Sequence, residues 1–229
     1  MKLLDAPTAS LNEIVHVPLG NLLLEGELRL PEECTGVVVF AHSSRHSQRN
    51  QFIADHIAEG GIGTLLIDLL TPEEQERTTV TGVRRFDIEL LARRLSGVVR
   101  WLDHSPRTRH FEVGCVGAGI GAAAAIVSAA EQGSRISAIV SRGGRPDLAG
   151  EPLYKVRTPT LLIVGAKDEE LLMLNEDAYS RMRWRRELRI IPGTTHLFKE
   201  PGKMQQVAEL TRGWFCRHME SSWRKEAWK

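Results

Sequence analysis

Six near-continuous apolar runs constrain this chain more than any other feature: VVVFAH (37–42), TLLIDLL (64–70), FEVGCVG (111–117), ISAIVS (136–141), TLLIVG (160–165) and LRIIPG (188–193). A strand with one wet face alternates apolar and polar residues, whereas a run without alternation is buried on both faces. Between the runs, Ile88, Leu91, Leu95, Val98 and Leu102 recur at helical intervals, as do Met204, Val207, Leu210 and Trp214, so each set forms a stripe that lies against a sheet. The spacing predicts an α/β fold with a mostly parallel central sheet and helices on both faces. Upstream, 13–19 and 22–30 alternate in β fashion around Gly20-Asn21, which predicts an N-terminal antiparallel ribbon closed by a two-residue turn. At 229 residues one domain is expected. The segment 71–85, rich in charge and threonine, is expected as an exposed excursion.

Composition narrows the partners. A formal net charge of +1 with 26% charged residues provides no field for nucleic acid or an anionic membrane, and no apolar stretch approaches the length of a membrane span. The basic run RMRWRR (181–186) reads as a helix end and a turn facing water, its tryptophan packed locally, because it lacks interleaved stacking platforms. Residues 1–15 contain no signal-peptide core. Cys34, Cys115 and Cys216 are odd in number and widely spaced, with no CxxC pair. That pattern implies a reducing compartment, the cytoplasm, and neither structural zinc nor another metal.

Chemistry is expected at the carboxyl ends of the strands, the edge where open parallel sheets bind ligands. VVVFAH ends in His42 and is followed by Ser43 and Ser44; FEVGCVG runs into Ala118-Gly119-Ile120-Gly121; TLLIVG leads to Asp168; LRIIPG leads to His196. Taken singly, Asp168 reads equally as a helix cap and His196 as a structural histidine. The glycine-rich stretch is itself ambiguous. Gly117, Gly119 and Ala122 satisfy a GxGxxA dinucleotide motif, with Arg142 placed where it would suit an NADP-type 2′-phosphate, and the same stretch reads as a hydrolase nucleophile turn. Asp168 and His196 have no role in the dinucleotide reading, whereas turn, acid and histidine follow one another in the order of a hydrolase triad.

The ribbon, VVVFAHSS, GAGIGA, LLIVGAKDE and IPGTTHLF together resemble an α/β-hydrolase of the dienelactone-hydrolase type over nearly the whole chain. That resemblance implies hydrolysis of an ester or lactone without metal or organic cofactor. It implies His196 as general base, Asp168 as the group orienting its imidazole, and the backbone N–H groups of Ile120 and Ser43 as oxyanion donors. The chain departs from the pattern twice: the central turn residue is Gly119, which carries no nucleophile, and the loop after His42 reads SSRHSQRN, without glycine. Cys115, Ser43, Ser44 and Ser141 are the substitutes at hand. Cys115 lies inside an apolar run, where a thiol behaves as a small hydrophobe, and Ser43 and Ser44 read as loop hydroxyls bonding backbone.

Three expectations follow from Gly119: hydrolysis impaired or absent; slow hydrolysis by a water that His196 activates; or a non-catalytic binding or regulatory protein on a hydrolase scaffold. The ligand expected is a small ester, lactone or carboxylate-like molecule, with His42, Ser44, Arg45, Arg142 and Arg145 as candidate contacts. Arg45, Arg49, Arg142 and Arg145 follow two strand ends and would together form an anion-binding rim; the alternative is that they pair with Asp147 and Glu151 on the surface.

Overall fold

The computed structural model describes residues 10–42, 47–74, 87–132 and 135–219. Among these residues eight strands form one sheet: β1 Leu11–Leu19, β2 Leu22–Leu30, β3 Gly36–His42, β4 Gly63–Asp68, β5 Glu112–Gly119, β6 Ile136–Gly144, β7 Thr160–Gly165 and β8 Arg186–Ile191, in the order β1-β2-β4-β3-β5-β6-β7-β8. β1 and β2 form the antiparallel ribbon, and β2 is also antiparallel to β4. From β4 through β3 to β8 every pairing is parallel.

The helices are α1 Gln48–Ala58, α2 Ile88–His104, α3 Gly121–Gln132, the single turn α4 Pro152–Lys155, α5 Glu169–Arg181 and α6 Lys203–His218, with a 3-10 turn over Pro146–Ala149. The two-sided burial of the central strands is visible within β3. Val37, Val39 and Ala41 join one core beneath α2 and α3, while Val38 and Phe40 join a second core with Ile53, Ile57, Trp214 and Phe215 from α1 and α6.

Most strand expectations hold to within two or three residues, and the edge strand shows why the last is displaced. β8 begins at Arg186 and ends at Ile191 because its position is set by ladder bonds to β7, from Thr160↔Arg186 to Gly165↔Ile191, rather than by its two isoleucines. RMRWRR spans the end of α5, a turn and the start of β8; Trp184 within it is exposed, so it is not packed as expected.

At the start of 71–85, Thr71 and Glu74 form a reciprocal capping box: the Glu74 N–H donates to Thr71 Oγ1 (3.3 Å) and the Thr71 N–H to Glu74 Oε2 (2.8 Å). The sequence TPEE carries that signature, with proline at the first helical position. The expectation for 75–85 lies outside the described residues.

Candidate active site

The sheet order reverses at β3: the chain passes from β3 to β4 on one side, then returns to place β5 on the other. Ligands bind at such switch points, beyond the carboxyl ends of the strands. Here β5 ends at Gly119, with φ +54, and α3 starts at Gly121. The turn is this tight only because no side chain stands at Gly121, where a Cβ would collide with the Ala41 carbonyl of β3. At Gly119, in contrast, a Cβ would meet nothing within 4 Å. The apex of the turn therefore has room for a side chain that the sequence does not supply.

A cavity of about 930 Å³ opens over this turn, and Ala41, Gly119, Ile120, Arg145, Asp168 and His196 are among the residues that line it. Ile120 immediately precedes α3 and its carbonyl accepts from the Ala124 N–H, so its own N–H is among those at a helix start that have no partner within the helix. An N–H group at a helix start on the cavity wall suits developing negative charge.

Asp168 occupies the N-cap position of α5, yet its side chain makes no cap hydrogen bond. Its carboxylate turns to the next loop instead. Asp168 Oδ2 lies 2.7 Å from His196 Nδ1 and also accepts from the His196 backbone N–H. A carboxylate bound to Nδ1 orients the imidazole and directs Nε2 away from it.

The two loops are fastened together by backbone bonds, Ala166 N–H to Ile191 O and Lys167 N–H to Thr194 O, both 2.9 Å. The histidine loop is anchored by Phe198, which sits in the left-handed region at φ 51 and is 1% exposed in the second core. The aromatic ring thus holds a strained backbone two residues past His196.

Among the described residues, Arg142 and Arg145 do not share a rim. Arg145 lines the cavity, but its Nε and Nη2 both donate to the Asp147 carboxylate at 2.9 and 2.8 Å; these bonds first, and the charges of Asp147 and Glu170 after them, raise its pKa above the usual guanidinium value. Arg142 points to the opposite side of the sheet, in phase with Ala138 and Val140 of the second core. It is 4% exposed and donates from Nη2 to Asn50 Oδ1 at 3.0 Å, and burial first, with the charge of Arg49, lowers its pKa to about 10. A guanidinium so enclosed is out of reach of a ribose phosphate lying over the β5–α3 turn.

His42 ends β3 beside Asp68 in register; Ser43, Ser44 and Arg45 lie outside the described residues. Of the substitute nucleophiles that are described, Ser141 is fully buried, and so is Cys115, whose thiol desolvation pushes up to about 12. Neither reaches the cavity. Among the described residues no group of three or more His, Cys, Asp or Glu side chains could hold a metal ion, and no helix is long and apolar enough to cross a membrane.

The model of the dienelactone hydrolase family matches residues 24–222. This chain belongs to the dienelactone hydrolase family. A solved dienelactone hydrolase from Anabaena variabilis is 47% identical, with a TM-score of 0.89 over 92% of this chain and 99% of that one. A dienelactone hydrolase-like promiscuous phosphotriesterase, P91, from metagenomic libraries shares the fold at 19% identity and a TM-score of 0.72, covering 92% of this chain and 99% of its own.

A Mycobacterium tuberculosis protein named "Putative phosphoribosyl transferase" is 48% identical over 211 residues, which are 91% of this chain and 47% of that protein. The chain therefore spans about half the length of the curated relatives it matches. The structure brings the expected residues Asp168, His196 and Gly119 to one cavity. Leu171 and Leu174 from α5 and Leu148 from the 3-10 turn also line it and were not expected from the sequence. A helical period in EELLML was the available signal for the former.

Proposed function

We propose that this chain is an ester- or lactone-binding member of the dienelactone hydrolase family in which hydrolysis is crippled because Gly119 stands where the family's chemistry needs a nucleophile. The observation that carries this reading is the pairing of Asp168 with His196 on a cavity wall shared with Gly119, whose left-handed φ and open Cβ direction suit a projecting side chain. The base and its orienting acid remain, but the atom that would form the acyl intermediate is missing. The carboxylate-like ligand expected from the arginines is the weaker choice, since Arg145 is engaged by Asp147 and Arg142 faces the other core.

A second reading, slow hydrolysis by water, is favoured by the free space at Gly119. His196 would take a proton from a water placed there, and the Ile120 N–H would receive the developing oxyanion. Removing one triad member leaves about 10³–10⁴ of acceleration over water in serine proteases, so a small rate is chemically reasonable. The deciding experiment measures p-nitrophenyl acetate and γ-lactone hydrolysis by the chain and by His196→Ala. A residual rate that disappears in the variant is turnover at this site by the water route; no rate above buffer in either protein, with saturable ester binding retained, is the crippled binder. Absence of saturable ester or lactone binding at millimolar concentration would overturn both.

The phosphoribosyl transferase name of the curated relatives supports no assignment here. A pyrophosphate-bearing substrate calls for a nest of free N–H donors and unpaired cations, whereas the Arg145 fork is already filled.

A further inference from the structure

Arg142, near the carboxyl end of β6, is 4% exposed on the α1 and α6 face of the sheet and donates from Nη2 to Asn50 Oδ1 at 3.0 Å. A guanidinium offers five donors, yet among the described residues this is its only hydrogen bond, and Nε is buried without a partner. Asn50, the third residue of α1 and 2% exposed, is in the same condition, because its Nδ2 is also buried and unpartnered. With a pKa of about 10 the arginine stays charged at neutral pH.

The start of α1 adds to that charge. Ser47 makes no side-chain cap bond, the first turn contains no acid, and its leading N–H groups present the positive end of the helix. The charge of Arg49 acts on Arg142 as well. The acids on the surrounding segments are placed or engaged elsewhere. Asp55 accepts from Arg29, Glu59 lies 4.0 Å from Arg212, Glu209 accepts from Gln205, Glu200 accepts from Thr194 and Asp168 is held by His196. Asp68 stands on β4, three strands from β6, roughly 14 Å at ordinary strand spacing. The residues leading from β3 toward α1, Ser43-Ser44-Arg45-His46, contain no acid. A buried charge is costly unless it is paired, and two orphan donors beside an uncapped helix start are the donor set of an anion site.

We propose that Arg142, Asn50 and the N-terminus of α1 form a binding site for a compact monoanion of the size of chloride or formate. Burial of both side chains limits the size, and the single uncompensated guanidinium sets the charge. Neither Arg142 nor Asn50 lines the cavity over the β5–α3 turn, so this site stands or falls independently of the ester reading.

The test follows thermal melting of the chain as it stands while sodium chloride, or sodium formate, replaces sodium gluconate at constant ionic strength; gluconate is too bulky to enter. Tm should rise saturably, by about 3 °C or more at about 0.2 M of at least one compact anion. In Asn50→Asp a carboxylate takes the place of the amide that Arg142 contacts. That variant should melt above the parent in gluconate, and its response to either anion should fall below about 1 °C. Arg142→Met should lose the response too. In crystals grown with bromide, an anomalous peak should lie within hydrogen-bonding reach of Arg142 in the parent and be absent from Asn50→Asp. A parent Tm indifferent to both anions, a response retained in either variant, or no bromide peak beside Arg142 overturns the site. Should Arg142→Met fail to fold, Asn50→Asp and the bromide crystals still decide.

Discussion

Replacing Gly119 by serine separates the fold from the chemistry at one residue. The native φ of +54 lies in the left-handed region, where a side chain costs about 1–2 kcal/mol. No steric term adds to that, because nothing lies within 4 Å of the new Cβ. For a domain of this size about 1 kcal/mol corresponds to about 2–4 °C in Tm, so Gly119→Ser should melt about 2–8 °C below the parent. In return the hydroxyl enters a cavity shared with a histidine whose Nδ1 is held 2.7 Å from Asp168.

Loss of the serine in a triad enzyme, subtilisin, costs about 2 × 10⁶ in kcat. Recovery of even about 10³ corresponds to about 4 kcal/mol of barrier and is easily seen with p-nitrophenyl butyrate, with the acyl-enzyme captured by mass spectrometry. Gly119→Ala is the control, since it has the same backbone strain and no hydroxyl. If Gly119→Ser shows the expected fall in Tm but hydrolyses no faster than Gly119→Ala, the turn is not a nucleophile position and the reasoning from its geometry is wrong.

Phe198→Ala should destabilise the chain by about 3–5 kcal/mol, because the ring is 1% exposed in the second core; chemical denaturation would measure it, and in a Gly119→Ser background the rate should fall with the loosened His196 loop. Of the three free thiols, Cys216 is exposed while Cys34 and Cys115 are buried, and a thiol pushed to about 12 carries almost no thiolate at pH 8, so a disulfide reagent should label Cys216 rapidly and Cys115 only on unfolding. Arg94 grips both Glu74 oxygens at 2.6 and 2.7 Å and, as the largest cause, lowers the Glu74 pKa. A folded pKa below the unfolded value of about 4.3 gives stability that is present above that value and is lost as pH falls through the folded one. Glu74→Gln should therefore be less stable than the parent at pH 7, by about 1 kcal/mol, and the gap should close below about pH 4; a gap independent of pH would contradict the pairing.

By itself the amino-acid sequence determined the sheet, because a strand buried on both faces has no freedom to be polar, and runs such as VVVFA and TLLIVG cannot be satisfied in another layer arrangement. Stretches whose burial is partial were less legible. α1 buries a polar residue, Asn50, beside Ile53, Ala54 and Ile57, so its stripe is broken, and β8 takes its place from backbone bonds to β7 that no side-chain pattern records. The glycines of the β5–α3 turn were readable as a turn, but the reason for Gly121 was not, since it is the Ala41 carbonyl of a strand roughly 80 positions earlier.

Tertiary structure alone decided the site. Asp168 could have capped α5 through its side chain; folding brought His196 to it from 28 residues away, and the carboxylate bonded there instead. Arg142 and Arg145 are three positions apart in one strand-and-turn segment, yet one faces the second core while the other meets Asp147 at the cavity. Which face a strand residue takes follows from sheet parity, and which partner a charge finds follows from distance; both exist only once the chain is folded.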